Sequence, residues 1–359
     1  MSIVVAVLVF CVIIMLHELG HFIAAKACGI YVKEFAIGMG PALLRKKGKE
    51  TEYVLRALPI GGFCAFEGED GGASEEEKQR NPRAFNARPV WQRIIVLLAG
   101  PLMNLILGFV VVVFMMCSME YIPSSTIHSF KDQSVSSEYL MPGDKILSID
   151  GLTIFTDTDI SYKLLNSDRK NDKGNLVYDF KVKRDGEVIT IRDVEFMTTE
   201  HEDGSTGVYF DFIIIGREKT FTNVISQSWR ESCSTARLIV MTLVDLVRGK
   251  YGLNDLSGPI GVGSVISDAV TDAVKTFSPT QLLFIIALIT INVGVFNLLP
   301  VPALDGARII FLLIELLRRK PVKPEVEGTI HAVGMALLMV LMVVVTFGDI
   351  RRLFTGGFG

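Results

Sequence analysis

Four long hydrophobic segments alternate with polar stretches along this chain. They cover residues 1–28, 90–119, 279–318 and 329–348, and each is long enough to cross a bilayer. The polar stretches between them are rich in charged residues. The pattern therefore predicts a multi-pass α-helical membrane protein with four transmembrane helices.

The third hydrophobic segment, 279–318, is too long for one straight crossing. A hydrocarbon core about 30 Å thick takes roughly 20 helical residues. In the middle of the segment stand Pro300 and Pro302, and each removes a backbone donor and breaks a helix. Broken backbone at membrane depth is tolerated only where it is buried in protein or lines a cavity. We therefore predict that this helix bends around a polar site and brings Asp305 to it.

The first polar stretch, 29–89, predicts a β-hairpin rather than a simple linker. Residues 31–37 and 51–58 are typical of short strands, and the sequence Gly38-Met39-Gly40-Pro41 and a basic turn separate them. A small, apolar run that contains Gly61, Gly62 and Phe63 follows. We expect this run to fold back to the membrane and present a strand edge to a substrate. The alternative is a cytoplasmic hairpin with no substrate role.

The second polar stretch, 120–216, changes to short β-like runs separated by turns, which predicts a β-rich domain. The run 142–151 resembles the turn–strand–turn signature of PDZ domains, which bind peptides at a sheet edge. Tyr139 departs from that signature, since a small residue usually stands there, and a steric cap is the alternative role. For 217–278 we expect an amphipathic surface helix and a linker, because Arg237 and Asp245 argue against a fifth span.

Charge sets the expected orientation. The stretch 29–89 is rich in Lys and Arg, and the short loop between the last two hydrophobic segments carries Arg318, Arg319, Lys320 and Lys323. By the positive-inside rule both are cytoplasmic, so both termini and the β-rich domain lie outside. A hydrophobic content of 50%, a mean hydropathy of +0.42 and a net charge of −3 leave no basic surface for nucleic acid. The five cysteines show no CxxC spacing, so a disulfide framework is not expected.

The first hydrophobic segment contains the candidate chemistry, His17-Glu18-Leu19-Gly20-His21. Two histidines four residues apart share one face of a helix, so both imidazoles can reach one metal ion, and Glu18 between them can take a proton from a water molecule. A catalytic zinc commonly has three protein ligands. Asp305 in the broken helix is the favoured third ligand, with His331 and Glu315 as alternatives. Asn104, in the second segment, either packs in the bundle or supports the site.

The chain resembles the site-2 protease family of intramembrane zinc metalloproteases, in particular bacterial regulator-of-sigma-E-type proteases with one PDZ domain. The resemblance rests on His17–His21, on Asn297-Leu298-Leu299-Pro300-Val301-Pro302-Ala303-Leu304-Asp305-Gly306, and on shorter motifs at 58–62, 99–104 and 256–260, all in the family's order. It implies one zinc ion held by His17, His21 and Asp305. It further implies Glu18 as the general base, with Asn297 supporting the substrate or the transition state.

The resemblance also implies a function and a location. The expected substrates are single-span membrane proteins, such as anti-sigma factors, that another protease has already trimmed. Gly61, Gly62, Phe63, Asn104, Pro300 and Pro302 are the expected substrate-contacting residues. The location is the bacterial cytoplasmic membrane, with the lipid bilayer around the helices and the active site near the cytoplasmic side. Peptide C-termini are the expected ligands of the PDZ domain.

Two other kinds of protein remain as alternatives on sequence grounds. A membrane scaffold that assembles partners through its PDZ domain would not need Glu18. A metal transporter also places His and Asp in a broken helix, but it spreads binding groups along a path. The second and fourth hydrophobic segments offer little for such a path beyond Asn104 and His331.

Overall fold

The computed structural model describes residues 2–69, 81–166, 169–172, 174–200, 206–250, 258–276 and 278–355. Its α-helices are α1 (Ser2–Ala27), α2 (Val90–Ser118), α3 (Asp157–Leu165), α4 (Phe221–Val247), α5 (Pro259–Thr276), α6 (Thr280–Leu298), α7 (Asp305–Arg318) and α8 (Pro324–Thr355). Its strands are β1 (Val32–Lys47), β2 (Glu52–Phe66), β3 (Ile122–Phe130), β4 (Lys145–Ile149), β5 (Leu152–Thr153), β6 (Leu176–Arg184), β7 (Glu187–Phe196), β8 (Thr198–Glu200), β9 (Thr206–Val208) and β10 (Phe212–Arg217).

Four helices in the described residues are long and apolar enough to cross a membrane. These candidate spans are Val4–Ala27, Val90–Ser118, Thr280–Leu298 and Pro324–Arg351. They correspond to the four hydrophobic segments of the sequence, with two differences. The third segment is two helices, α6 and α7, separated by non-helical backbone at 299–304, and the fourth helix extends beyond 329–348 at both ends.

The chain divides into two compact units. One comprises 1–111 and 242–359, and the other comprises 112–241. The first contains most of the apolar helices and the β1–β2 sheet. The second contains the β-rich domain and most of α4.

Strands β1 and β2 are longer than predicted, and their pairing lays four segments side by side. Tyr53 pairs with Lys46 on one side and with Phe35 on the other, and Phe35 pairs in turn with Cys64. The segments therefore run in the order 42–47, 52–56, 32–39, 62–66. The prediction that 38–41 separates two strands was wrong, because β1 bends there and continues; Gly38 and Gly40 have φ values of +85° and +84° that favour glycine at the bend.

This β1–β2 sheet packs against helices of the same unit through one hydrophobic core. The core joins residues of α1, the sheet, α2 and α7, so the sheet is anchored directly beside the end of α1 that carries the two histidines. Its buried members are Ala25, Ile30, Val32, Phe35, Cys64, Phe66, Phe85, Val96, Leu97 and Leu312.

The β-rich unit is an antiparallel sheet in the order β10-β3-β4-β6-β7, with β5 paired to β4. The predicted turn–strand–turn at 142–151 is present as β4 between Gly143 and Gly151, which have φ values of +92° and +80°. Near the end of this domain the chain leaves β9 at Val208 and enters β10 at Phe212. Helix α3 went unpredicted. The core of the unit contains Ile127, Leu140, Ile146, Ile149, Ile160, Leu164, Tyr178, Phe180, Val194 and Phe196.

Helix α4 has an unusual distribution of side chains. Its buried positions are largely polar and include Gln227, Ser228, Glu231 and Ser234, and they recur at helical spacing. Its exposed side includes Trp229, which is 61% exposed, and several valines. Large apolar side chains are thus exposed on α4, as on a helix that lies on a lipid surface, and that location stays a prediction.

Helix α5 was expected to be linker, and its N-terminus is held by a residue far along the chain. The buried carboxylate of Asp349 accepts the backbone N–H groups of Gly258 and Gly261 at 3.1 and 2.9 Å. A Cβ at Gly258 would lie 2.7 Å from Asp349 Oδ2. A carboxylate at a helix N-terminus satisfies free backbone donors and is favoured by the helix dipole. The glycine in the motif at 256–260 therefore allows the end of α8 to cap α5.

Glu231 predicts a dependence of stability on pH. Burial raises the pKa of this carboxyl to about 7, and the neighbouring Asp157 and Asp159 act in the same direction, while Thr158 donates to Oε1 at 2.6 Å and opposes the shift. The folded state therefore binds the proton more tightly than the unfolded state. The stability that this contributes is present at acidic pH and is lost as the pH rises to about 7.

We expect Glu231→Gln, which imitates the protonated acid, to raise the unfolding midpoint at pH 8 and to change it little at pH 5. Thermal unfolding of the purified full chain at both pH values measures this, and each kcal/mol corresponds to roughly 2–4 °C. Glu218→Gln, at an exposed position, is the control. An equal effect of Glu231→Gln at the two pH values would contradict the prediction.

Candidate active site

His17 and His21 lie on the same face of α1, one turn apart, and both are buried at 7% and 6% exposure. Their Nε2 atoms are 3.2 Å apart. Two imidazole nitrogens this close in an apolar helix are well placed to share one cation. The expectation that four-residue spacing brings both rings to one point therefore agrees with the geometry.

Asp305, the first residue of α7, brings a carboxylate to the same point. Its Oδ2 lies 3.1 Å from His17 Nε2 and 3.3 Å from His21 Nε2. Ligand bonds to zinc of about 2.0–2.1 Å at tetrahedral angles place neighbouring ligand atoms about 3.3 Å apart. The three atoms therefore already have the spacing of three corners of a zinc tetrahedron. In the described part of the chain they form the one group of three or more possible metal ligands.

Hydrogen bonds orient both imidazole rings. His21 Nδ1 donates to the carbonyl of Val96 at 2.8 Å, which leaves the lone pair on Nε2 facing the cluster. His17 Nδ1 lies 3.3 Å from Nδ2 of the fully buried Asn104, whose Oδ1 has no partner among the described residues. A half-turn of this amide would let Oδ1 accept the His17 Nδ1–H, and His17 Nε2 would then be free to bind a metal.

Glu18 points from α1 to the open edge of the β1–β2 sheet. Its Cγ lies 3.5 Å from the position that a Cβ on Gly62 would take, and Glu18, Gly62 and Cys64 line the same cavity. The segment 62–66 is the outermost of the four in the sheet, so it pairs with β1 on one side and its other side is an open edge. Burial raises the pKa of the Cys64 thiol, which keeps it protonated and excludes it as a nucleophile near neutral pH.

A cavity of about 620 Å³ connects these groups. This volume lies within the usual range for small-molecule binding sites. It contains the two histidines, Glu18 and Asp305 on one side and part of the edge strand on the other. Its lining residues are His17, Glu18, His21, Gly62, Phe63, Cys64, Phe66, Glu69, Leu97, Ala303, Asp305, Arg308, His331, Ala332 and Met335.

Two glycines allow α2 to approach the cluster. A Cβ at Gly100 would lie 2.2 Å from His21 Nε2, and a Cβ at Gly20 would lie 2.3 Å from the carbonyl oxygen of Ala99. Neither distance is compatible with a methyl group. Gly100 therefore lies directly against a candidate ligand atom.

The two alternative third ligands, His331 and Glu315, are engaged in other contacts. Glu315 is paired with Arg93, whose Nη1 donates to Glu315 Oε2 at 3.1 Å. His331 lines the cavity, but its Nδ1 accepts the backbone N–H of Ala303 at 2.9 Å. Asp305 is therefore the acidic or imidazole side chain that completes the group with the two histidines.

Some predicted residues are not brought to the cavity. Asn297 lies near the end of α6, and its Nδ2 donates to the Val293 carbonyl of its own helix at 3.0 Å. Gly61, Pro300 and Pro302 are not among the lining residues, whereas Gly62 and Phe63 are. Roles for Asn297 and the two prolines in binding substrate stay predictions.

One polar pair at the cavity was missed by the sequence. Arg308, one turn along α7 from Asp305, donates to Glu69, which follows β2, and both line the cavity. The spacing of Asp305 and Arg308 puts them on one helix face, but nothing local in the sequence indicates Glu69 as the partner. The pair ties the end of the edge strand to the helix that carries Asp305.

Comparison with known proteins decides the family. The model of peptidase family M50 matches residues 5–341. This chain belongs to peptidase family M50, the site-2 protease family.

Relatives match the M50 chain over nearly its whole length. A Clostridium acetobutylicum protein, provisionally named a zinc metalloprotease, is 35% identical over 97% of both chains. The zinc metalloprotease RasP of Bacillus licheniformis is 31% identical over 98% of this chain and 99% of its own. The regulator of sigma-W protease RasP of Bacillus subtilis is 29% identical over the same shares. The M50 chain is thus a zinc metalloprotease with membrane-type helices, and the scaffold and transporter alternatives are set aside.

Gly100→Ala in this M50 protease tests the approach of α2 to the histidines. The added methyl group has no room beside His21 Nε2, so we expect zinc affinity to fall at least 10-fold, as for other changes that displace a ligand. Zinc affinity of the purified full chain, from competition with a chelator, measures this. Gly348→Ala, with nothing within 4 Å of the added Cβ, is the matched control. Equal affinity of both variants and wild type would show that Gly100 is not needed for the metal site.

Proposed function

We propose that this protease hydrolyses peptide bonds within the transmembrane segments of single-span membrane proteins. The observation that carries the proposal is the position of the metal-type cluster on α1, a candidate membrane span, beside an unpaired strand edge. A cluster on a soluble domain would act on soluble peptides. A cluster inside an apolar helix bundle is reached most directly by a substrate that is itself in the membrane.

His17, His21 and Asp305 are the proposed zinc ligands, since their ligand atoms fit the metal's geometry. Zinc bound there supplies Lewis acidity, which makes a water molecule acidic near neutral pH and polarises a peptide carbonyl. Glu18 stands next to both histidines and takes the proton from the attacking water. It then delivers that proton to the leaving nitrogen, so the pair of transfers regenerates the carboxylate.

The edge segment 62–66 is the proposed substrate-binding strand. A peptide bond in a helix is shielded by its own turn, and unwinding the helix exposes donors and acceptors that are costly in lipid. A substrate added as a further strand would pair these groups with the open edge. Because Glu18 lies beside Gly62 at this same edge, a strand bound there passes the general base and the three proposed ligands.

The substrate class and the order of cleavage rest on resemblance. The Bacillus subtilis relative is named as a regulator of sigma-W, which supports anti-sigma factors as substrates. We propose that they arrive already trimmed on the outer side, and that the β-rich unit at 120–216, as an extracytoplasmic PDZ domain, either excludes untrimmed proteins or binds new C-termini. Deletion of 120–216 separates these roles, since loss of a size filter makes untrimmed substrates cleavable.

The proposed orientation follows from charge. Both termini and the β-rich unit lie outside the bacterial cytoplasmic membrane, and the histidine end of α1 lies toward the cytoplasm with the Lys- and Arg-rich β1–β2 sheet. Products on that side are then released inward. Modification of cysteines introduced near each end of α8 by an impermeant reagent tests the orientation.

Glu18→Gln tests the reaction itself. We expect cleavage of a trimmed single-span substrate to fall by roughly 10²–10⁴-fold or more, because the substitution removes the proton acceptor. Zinc content should stay at the wild-type level, since Glu18 is not a proposed ligand. Glu52→Gln, on the β1–β2 sheet and paired with the partly exposed Arg45, is the control. Undiminished cleavage by Glu18→Gln would overturn the proposed function.

Proline in the edge segment tests strand addition. We expect Gly62→Pro and Cys64→Pro to abolish cleavage while zinc content stays intact, because proline removes a backbone donor from the edge. Cys64→Ala keeps that donor and should keep activity. The measurement is cleavage of a membrane substrate by purified variants, with metal content determined on each. Unchanged cleavage by both proline variants would rule out the edge as the binding strand.

A further inference from the structure

The backbone that carries Asp305 is strained and tightly folded. Ala303, two residues before it, has a φ of +77°, a conformation that is unfavourable for a residue with a Cβ. A Cβ at Gly306 would lie 2.1 Å from the carbonyl oxygen of Leu299, so the loop 299–304 folds directly onto the start of α7. A conformation of this kind persists only where surrounding groups hold it.

His331 on α8 supplies one such group. Its Nδ1 accepts the backbone N–H of Ala303 at 2.9 Å. A ring nitrogen that accepts a hydrogen bond carries no proton, so this contact requires the neutral imidazole with its proton on Nε2. Nε2 is 3.9 Å from the Glu327 carboxylate, which is beyond hydrogen-bond distance. The bond to Ala303 is thus the defined polar contact of this side chain among the described residues.

Gly334, one turn further along α8, is the second residue of this helix that contacts the loop 299–304. A Cβ at this position would lie 2.1 Å from Cβ of Pro302 and 3.2 Å from its Cα. The helix and the loop are therefore in direct contact, with no room for a methyl group. Residues three apart lie on the same helix face, so His331 and Gly334 lie side by side. They contact Ala303 and Pro302, respectively.

We propose that the face of α8 formed by His331 and Gly334 positions the loop 299–304 and thereby holds the Asp305 carboxylate at the two histidines. The inference rests on the proposed function, since it takes Asp305 as a zinc ligand. In this role His331 and Gly334 are positioning residues, which act on the metal through the backbone of 302–305. Helix α8 thus contributes to the site although neither His331 nor Gly334 binds the metal.

Four variants of the full chain test the proposal. His331→Phe keeps a ring without an acceptor, and His331→Asn places an amide oxygen where Nδ1 was. Gly334→Ala adds a methyl group against Pro302, and Gly328→Ala adds one on the same helix with nothing within 4 Å. Zinc affinity is measured by chelator competition, and the coordination is followed by the visible spectrum of the Co²⁺-substituted protein.

We expect His331→Phe and Gly334→Ala to weaken zinc binding by about 10–100-fold, the effect usual for groups that orient a ligand. Their Co²⁺ spectra should change. His331→Asn should restore most of the affinity lost in His331→Phe, and Gly328→Ala should behave as wild type. A general loss of packing would not be rescued by Asn, so this pair remains informative even if Gly334→Ala fails to fold.

Asp305→Asn separates failure of this inference from failure of the proposed ligand set. Wild-type affinity in Asp305→Asn would overturn the ligand set itself. Weak binding in Asp305→Asn with wild-type affinity in His331→Phe and Gly334→Ala would overturn only the positioning role. Equal weakness of His331→Phe and His331→Asn would overturn the acceptor role of Nδ1.

Discussion

The structure depends on one costly requirement: two imidazoles and a carboxylate must converge within an apolar helix bundle. Charged and polar groups are expensive in such surroundings unless protein partners satisfy them. Each of the three therefore has a fixed partner or a fixed backbone. His21 donates to Val96, His17 faces Asn104, and Asp305 begins a helix directly after a strained loop.

Convergence also requires helices to approach more closely than ordinary side chains allow. Glycines occur at contacts where a Cβ would meet another heavy atom within about 2.5 Å: Gly20 and Gly100 between α1 and α2, Gly306 between α7 and the loop 299–304, and Gly334 between α8 and that loop. In membranes, where lipid offers no hydrophobic drive for helix association, close backbone packing is a main source of attraction. The same small residues thus serve the packing of the bundle and the spacing of the proposed ligands.

Local patterns predicted the features that depend on local geometry. The spacing of His17 and His21 was enough to place both rings together, and the prolines at 300 and 302 were enough to predict a broken helix before Asp305. Contacts between residues that are distant in the sequence could not be predicted in this way. Nothing near Gly258 indicates that Asp349 caps its helix, and nothing near Ala303 indicates His331. Similarly, β1 pairs with β2 along both of its edges, which no alternation of apolar residues could reveal.

The open strand edge has a consequence for the choice of substrate. Main-chain donors and acceptors are the same for every residue except proline, so an edge that pairs with backbone discriminates poorly between side chains. Selectivity must then arise mainly from how readily a substrate helix gives up its own hydrogen bonds. Glycine and β-branched or amide-bearing residues lower that cost by up to about 1 kcal/mol each. In such a system the instability of the substrate helix, more than a sequence motif, would mark where it is cut.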